Sequence, residues 1–152
     1  MPYPNYSADL TGPFVTPAKL QGRCGSCYAF TSVAALESAY YLKYRVLYNF
    51  STEIVVSCFP DQVNPYGCVN GGSPDDVPYY VNKNGGIPLL STYPYAERWN
   101  QFSNVACNKT LAKRVVPFQV NLSPVLGNAG YLGSGTNAEL LTQLKVSCLA
   151  TM

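Results

Sequence analysis

Residues 21–30 read Gln21-Gly22-Arg23-Cys24-Gly25-Ser26-Cys27-Tyr28-Ala29-Phe30, and this stretch is the most informative in the chain. Two cysteines flank a Gly-Ser pair, and an apolar run that can form a helix begins at the second cysteine. Cys27 is therefore predicted to lie in the first turn of a helix, where backbone N–H groups lack intrahelical partners and the helix dipole favours negative charge. A thiol in such a position is a better nucleophile than an ordinary cysteine.

The Cys-x-x-Cys spacing of Cys24 and Cys27 has three interpretations. One is a dithiol redox pair, as in thioredoxin, although residues 16–22 before it have the composition of a loop and not of a strand. Another is half of a zinc site, although the sequence has no second Cys-x-x-Cys and no His pair. The third is a nucleophilic Cys27 beside a structural Cys24. The ten residues alone leave the redox pair and the nucleophile open.

Apolar residues continue beyond Cys27 at steps of three and four, which is the period of one helix face. They are Phe30, Val33, Leu36, Tyr40 and Tyr44. We expect a largely buried helix of about five turns. Glu37 lies close to the same face, so we expect its carboxylate to have a buried partner.

The composition excludes several classes of partner. A chain of 152 residues fits one ordinary domain or a large piece of a bigger one. The net charge of +2, the charged fraction of 12% and the scattered Lys and Arg residues argue against nucleic acid and anionic membranes. No apolar stretch approaches the roughly 18 residues of a membrane span. Residues 1–4 do not begin a signal peptide, so we expect any targeting segment to lie outside this sequence.

Cysteines and glycosylation motifs indicate an oxidising compartment. The chain has six cysteines, and Asn-x-Ser/Thr motifs begin at Asn5, Asn49, Asn108 and Asn121. Pro124 weakens the last of these motifs. We therefore expect a lysosomal, vacuolar or secreted protein.

Histidine is absent from the 152 residues. A Ser-His-Asp triad, a His-ligated metal or a Cys–His pair therefore cannot be completed within them. Chemistry that needs an imidazole must take it from elsewhere.

Shorter patterns predict a mixed α+β fold. Residues 1–20 carry four prolines and read as irregular chain with at most a short strand at 14–16. Residues 66–72 and 91–110 read as irregular. Helices are predicted from a Ser51 cap through Ser57, from Ser73 to Gly85-Gly86 and at 136–144, and strands at 115–121 and 145–149.

Five blocks of this sequence resemble the papain family of cysteine peptidases, which includes the cathepsins. Residues 24–28 match the family signature Cys-Gly-Ser/Ala-Cys-Trp/Tyr. The other blocks, in the family's order, are the lead-in at 15–22, the helix at 50–58, the glycine loop at 67–72 and the Thr-Tyr-Pro-Tyr turn at 92–95. The resemblance implies a papain-like α+β fold, with 13–110 as the helical left domain and 111–152 as the start of the β-rich right domain.

The resemblance also implies the catalytic residues. Cys27 is the implied nucleophile, which attacks a peptide carbonyl and forms a thioester. Gln21 is the implied side-chain donor to the oxyanion, joined by the backbone N–H of Cys27. The family's His and Asn lie roughly 130–150 residues beyond the nucleophile. That is beyond residue 152, so we expect a truncated peptidase domain that is inactive alone.

Substrate contacts and disulfides follow from the same resemblance. Glycines in the loop leave the backbone bare for pairing with an extended peptide or protein substrate, and Ser73 and Pro74 line the neighbouring specificity pocket. The implied substrate-binding residues are Gly25, Ser26, Gly71, Gly72, Ser73 and Pro74. The implied disulfides are Cys24–Cys68 and Cys58–Cys107, with Cys148 left over. Implied further partners are a propeptide or a cystatin-like inhibitor, and no cofactor or metal is implied.

The sequence departs from the family pattern at several points. Val69 is inserted in the glycine loop, Tyr28 replaces the commoner Trp, and Ser51 lacks an acidic residue three positions on. The Asp-Trp-Arg near the usual mature start is absent. These departures concern substrate preference and the outer face of the cleft.

Two alternatives stay open beside the peptidase. One is an inactive relative that acts as a binding module. The other is a thiol–disulfide oxidoreductase, which a Cys24–Cys27 bond would support and a Cys24–Cys68 bond would exclude.

Overall fold

The computed structural model describes residues 12–59, 67–74, 76–96 and 105–120. The predicted α+β class is confirmed. None of the helices in these ranges is long and apolar enough to cross a lipid bilayer. The predicted helix at 136–144, the predicted strand at 145–149 and Cys148 lie outside the described residues. The elements are α1 (Cys27–Tyr44), α2 (Glu53–Cys58), α3 (Asp76–Asn84), β1 (Gly86–Pro88), α4 (Lys109–Ala112) and β2 (Val115–Pro117).

Helix α1 begins at Cys27, as predicted, and runs for 18 residues. It ends at Tyr44 and is capped by Arg45, whose backbone is left-handed (φ 60°) and whose N–H donates to the carbonyl oxygen of Tyr41 at 2.8 Å. Burial is less complete than predicted, because the far end of the helix meets solvent and Tyr44 is 44% exposed. The buried apolar residues of the helix are Tyr28, Ala29, Val33 and Leu36.

The carboxylate of Glu37 is fully buried in α1 and, as its position predicts, has a buried partner, the backbone N–H of Phe50. Lys19 forms an ion pair with it, the Thr16 hydroxyl donates to it, and the backbone N–H of Phe50 donates at 2.7 Å. The bonds from Thr16 and Lys19 attach the chain before α1 to the helix, and the bond from Phe50 attaches the chain after it. The strand predicted at 14–16 does not form.

A two-stranded antiparallel sheet joins β1 to β2, with Ile87 opposite Val116. Strand β1 was not predicted, because Gly-Ile-Pro has neither the length nor the alternation of a strand pattern. Its start requires glycine: Gly86 has φ 141°, and a β-carbon there would lie 2.1 Å from the Val116 carbonyl oxygen. Strand β2 is shorter than the predicted 115–121 and ends at Pro117.

Helices α2 and α3 complete the core beside α1. The Ser51 hydroxyl accepts the N–H of Ile54 at 3.3 Å, which is the predicted capping bond, and Thr52 stands between the cap and the first helical residue. Helix α3 ends at Asn84 and is followed by Gly85, which has φ 79°. Side chains of α1, α2, α3 and β1 that are at most 1% exposed meet in this core: Val33, Ile54, Val81 and Ile87.

Helix α4 begins at the end of the 91–110 stretch that was predicted to be irregular and continues past it. Four residues are too few to show a helical period, and the local signal is a cap. The side chain of Asn108 accepts from the N–H groups of Thr110 and Leu111.

Candidate active site

Cys27 is exposed at the first position of α1. Among the cysteines in the described ranges, it is the one that forms no disulfide. The carbonyl oxygen of Ser26 accepts from the backbone N–H groups of Ala29 at 2.9 Å and Phe30 at 3.1 Å. These bonds form the first turn of the helix, which contains Cys27. Within the described part of the chain, the backbone N–H of Cys27 has no hydrogen-bond partner. The thiol and an available N–H donor therefore belong to the same residue.

The neighbouring Cys24 is paired with Cys68 of the glycine loop. A second disulfide joins Cys58 at the end of α2 to Cys107 before α4. These are the two pairs that the resemblance implies. Because the Cys24 sulfur is bonded to Cys68, a Cys24–Cys27 redox pair is excluded in this structure.

Backbone contacts reinforce the link between the nucleophile's loop and the glycine loop. The N–H of Gly25 donates to the carbonyl oxygen of Cys68 at 2.9 Å. A β-carbon on Gly25 would lie 2.8 Å from that oxygen, so a larger residue does not fit. On the other side, a β-carbon on Gly71 would lie 3.6 Å from the Gly25 carbonyl oxygen, and the φ of Gly71 is 68°. The two loops approach each other through glycine at both points.

The extra Val69 is accommodated at the tip of the glycine loop. Gly67 and Gly71 exchange two backbone hydrogen bonds, at 2.9 and 3.1 Å, which close the loop beneath it. Val69 projects outward and is 61% exposed. The insertion therefore lengthens the tip and leaves the contacts of Gly71 and Cys68 with Gly25 in place.

Gly72 at the end of the glycine loop and Pro74 just after it contact α1. A β-carbon on Gly72 would lie 2.6 Å from the ring of Tyr28, the residue that stands where the family commonly has Trp. The Ser32 hydroxyl donates to the carbonyl oxygen of Pro74 at 2.9 Å. Ser73 lines a cavity of about 10 Å³, which is the size of one water and smaller than a substrate side chain. A specificity pocket beside Ser73 and Pro74 thus stays a prediction.

Gln21 bends back toward the nucleophile's loop. Its side-chain Nε2 donates to the carbonyl oxygen of Cys24 at 2.6 Å. A carboxamide nitrogen carries two hydrogens, so this bond uses one of them and orients the other. Gln21 is therefore held at the loop that leads to Cys27.

Tyr95 also holds this arrangement, and sequence reasoning missed its role. Its hydroxyl donates to the carbonyl oxygen of Gln21 at 2.9 Å and lies 2.9 Å from the Oγ of fully buried Ser26. Its ring packs edge-on against Phe30 with centroids 5.0 Å apart. The only signal for this role was the Thr-Tyr-Pro-Tyr block to which Tyr95 belongs.

A larger cavity of about 360 Å³ lies away from the thiol. It is lined by the Cys58–Cys107 disulfide, the ring of Phe59 and residues of α3 and α4. Neither Cys27 nor Gln21 lines it, so this cavity is not part of the candidate catalytic site. Within the described ranges, no group of three or more metal-binding side chains is present.

The amino-acid sequence of this chain is similar to those of known cysteine proteases. The family model described as papain family cysteine protease matches residues 5–125. The chain is 41% identical over 86 residues to digestive cysteine proteinase 1 of Homarus americanus, covering 57% of this chain and 26% of that protein. It is 44% identical over 81 residues to procathepsin L of Rattus norvegicus, covering 53% of this chain and 24% of the relative. The chain thus spans about a quarter of the length of these curated relatives.

Solved structures agree with the sequence matches. The proform of the ragweed pollen allergen Amb a 11, a cysteine protease, is similar with a TM-score of 0.59 and 36% identity, over 71% of this chain and 30% of that one. Recombinant stem bromelain precursor is similar with a TM-score of 0.54 and 30% identity, over 64% of this chain and 29% of that one. Because the family model covers most of the residues and the matched structures share the fold, this chain belongs to the papain family of cysteine proteases.

Proposed function

We propose that this chain carries the nucleophile, the oxyanion donors and one substrate-binding wall of a cysteine peptidase. The observation that supports this most strongly is the exposed, unpaired Cys27 at the start of α1 beside a Cys24 that is committed to the glycine loop. A structural cysteine of this fold would be buried or bonded. An exposed thiol at a helix start is placed for attack on a substrate.

In the proposed reaction, the Cys27 sulfur attacks the carbonyl carbon of a peptide bond. The negative charge that develops on the carbonyl oxygen is stabilised by the Cys27 N–H and by the second Nε2 hydrogen of Gln21. The C–N bond then breaks, the amine leaves with a proton, and the acyl group remains on sulfur as a thioester. Water hydrolyses the thioester and restores the thiol.

The proton transfers in this scheme need a base that these residues lack. The 152 residues contain no histidine, so the imidazole that takes the thiol proton and returns it to the leaving amine must come from outside them. We therefore expect no peptide hydrolysis by the 152-residue chain alone. We further propose an extended peptide as substrate, with a propeptide or cystatin-like inhibitor as an additional partner of the same surface.

Gly25, Ser26, Gly71, Gly72, Ser73 and Pro74 are the proposed substrate-binding residues. The Cys24–Cys68 disulfide and the Gly25–Cys68 hydrogen bond hold the glycine loop against the loop that precedes Cys27, which supports the assignment. The two disulfides also support a lysosomal, vacuolar or secreted location, because they require an oxidising compartment to form. We also propose that residues 111–152 form the start of a second, β-rich domain.

The test is acyl transfer from a peptide thioester, a reaction that needs the nucleophile and the oxyanion donors but no imidazole to protonate an amine. The acyl group moves to the Cys27 sulfur and the small thiol is released. We expect acylation of Cys27, located by peptide mass spectrometry, to be faster in the folded chain than in the same chain in urea. Gln21→Ala should slow it, and Cys27→Ser should abolish it.

Two results would contradict the proposal. Folded and urea-unfolded chains acylated at the same rate would mean that the surroundings of Cys27 contribute nothing. Hydrolysis of a peptide amide by the chain alone would contradict the need for an outside base.

The second candidate function is that of an inactive relative that binds peptides, which the absence of histidine favours. It predicts peptide binding without accelerated acylation, so the same experiment with a binding measurement separates the two.

A further inference from the structure

Two of the four glycosylation motifs lie within the described residues, and the structure distinguishes them. The motif at Asn49 begins with an exposed asparagine, but its second and third residues are buried. The Ser51 hydroxyl that the motif requires donates to the carbonyl oxygen of Tyr93 at 2.7 Å and accepts from Ile54. The hydroxyl of this motif is therefore buried and hydrogen-bonded within the core. The motifs at Asn5 and Asn121 lie outside the described residues.

The motif at Asn108 is open along its whole length. Asn108, Lys109 and Thr110 are all exposed. No proline stands in the motif or directly after it, where Leu111 follows Thr110. The tripeptide is thus accessible on the surface of the folded chain, unlike the motif at Asn49.

The side-chain amide of Asn108 is divided between two tasks. Its Oδ1 accepts from the N–H groups of Thr110 at 3.2 Å and Leu111 at 3.1 Å, and so caps α4. Its backbone N–H donates to the hydroxyl of Tyr93 at 3.0 Å. The Nδ2 has no hydrogen-bond partner in the described part of the chain. Because Nδ2 and Oδ1 project from opposite sides of a planar amide, the nitrogen faces away from the helix that the oxygen caps.

We propose that Asn108 is an N-glycosylation site and that its glycan is attached without loss of any bond described above. In the transfer, a bond forms between Nδ2 and the sugar C1, and the C1–O bond to the pyrophosphate of a lipid-linked oligosaccharide breaks. One N–H proton and the lipid pyrophosphate are released. The product is still an amide, so its Oδ1 continues to accept from Thr110 and Leu111.

Burial and hydrogen bonding make Asn108 the preferred site over Asn49. A glycan at Asn108 extends into solvent beside Lys109, whereas recognition at Asn49 requires the Ser51 hydroxyl to leave the core. Glycosylation of Asn108 does not depend on the chemistry of Cys27. Glycosylation and acyl transfer are measured separately, so failure of one leaves the other unaffected.

The experiment uses the full chain produced behind a cleavable secretion leader in a eukaryotic host. Glycopeptides are mapped by mass spectrometry before and after an amidase that removes N-glycans and converts the linked Asn to Asp. We expect the peptide containing residue 108 to carry a glycan attached through N-acetylhexosamine and to show that conversion. Unmodified Asn108 peptide in secreted protein, with or without glycan at another motif, would overturn the proposal.

Matched variants separate the glycan from the cap. Asn108→Asp keeps an oxygen for the Thr110 and Leu111 N–H groups but removes Nδ2, and Thr110→Ala removes the motif while leaving the cap; both should lose the glycan at residue 108. Thr110→Ser keeps the hydroxyl and should retain it. Asn49→Asp should leave the glycan at residue 108 unchanged. Should a variant fail to be secreted, the wild-type glycopeptide map decides the question alone.

Discussion

The N–H of Gly25 lies 2.9 Å from the carbonyl oxygen of Cys68, and a β-carbon on Gly25 would lie 2.8 Å from the same oxygen. The two residues are 43 positions apart in sequence and are also linked through the disulfide that Cys24 makes to Cys68. A covalent bond and a hydrogen bond therefore hold the glycine loop against the loop that precedes Cys27. The closeness that makes this possible depends on the absence of a side chain at Gly25.

Gly25→Ala should destabilise the fold by about 1–3 kcal/mol, because the added methyl group meets a backbone atom that cannot rotate away. The measurement is urea unfolding followed by tyrosine fluorescence. Gly85→Ala is the control: a β-carbon there meets nothing within 4 Å, and its cost arises from φ of 79° alone. Only Gly25→Ala should also change the rate at which Cys27 is acylated. A Gly25→Ala variant as stable as the wild type would contradict the contact.

Tyr95→Phe should cost about 1–3 kcal/mol of unfolding free energy, because it leaves the buried Ser26 hydroxyl without its partner and removes the bond to the Gln21 carbonyl. The ring and its contact with Phe30 are retained. Tyr79→Phe is the matched control, since Tyr79 is 56% exposed and its change should stay within about 0.5 kcal/mol. Equal stabilities of the two variants would show that the Tyr95 hydroxyl does not hold the loop.

Glu37→Ala should destabilise the fold, because the buried N–H of Phe50 loses its acceptor. This lost hydrogen bond by itself should cost about 1–3 kcal/mol of unfolding free energy. Glu37→Gln should cost less, because an amide oxygen can still accept from Phe50. Thermal unfolding of both variants beside the wild type measures the difference. If Ala and Gln at this position are equally destabilising, the Phe50 bond does not account for the effect.

Alkaline pH should destabilise the aromatic cluster around Tyr40. Its ring contacts Tyr44, Tyr48 and Phe50, with centroids 4.4 to 5.5 Å away. The pKa of Tyr40 is raised above the ordinary value of 10.0, first by burial and then by its two tyrosine neighbours. A raised folded-state pKa means that this stability is present below pH 10 and is lost as pH rises through the folded-state pKa.

Tyr40→Phe removes the titrating group and keeps the ring. The stability of this variant should therefore fall less steeply above pH 10 than that of the wild type, when both are unfolded in urea at a series of pH values. Parallel curves for the two proteins would contradict the assignment of the raised pKa to Tyr40.

Long-range contacts explain which features the sequence could predict. Helix α1 was predictable because its period repeats over many residues, and the buried partner of Glu37 followed from a carboxylate on an apolar face. Strand β1 forms because Val116 lies opposite Ile87, and no local pattern in Gly-Ile-Pro announces that pairing. The Tyr95–Gln21 bond spans 74 positions. The residue types at both ends were visible in matched blocks, but the bond between them is a property of the folded chain.

Removing the two disulfides in separate variants distinguishes an effect on the stability of the fold from an effect on the geometry around Cys27. They close loops of similar length, with sequence separations of 44 and 49, so removing either should cost a similar free energy, by the chain-entropy relation about 4 kcal/mol. Their positions differ, because only Cys24–Cys68 joins the nucleophile's loop to the glycine loop. The paired variants are Cys24→Ala with Cys68→Ala, and Cys58→Ala with Cys107→Ala. Urea unfolding should show comparable losses, whereas acylation of Cys27 by a peptide thioester should slow only in the first variant. Equal acylation rates in two equally destabilised variants would mean that the Cys24–Cys68 bond stabilises the fold without positioning Cys27.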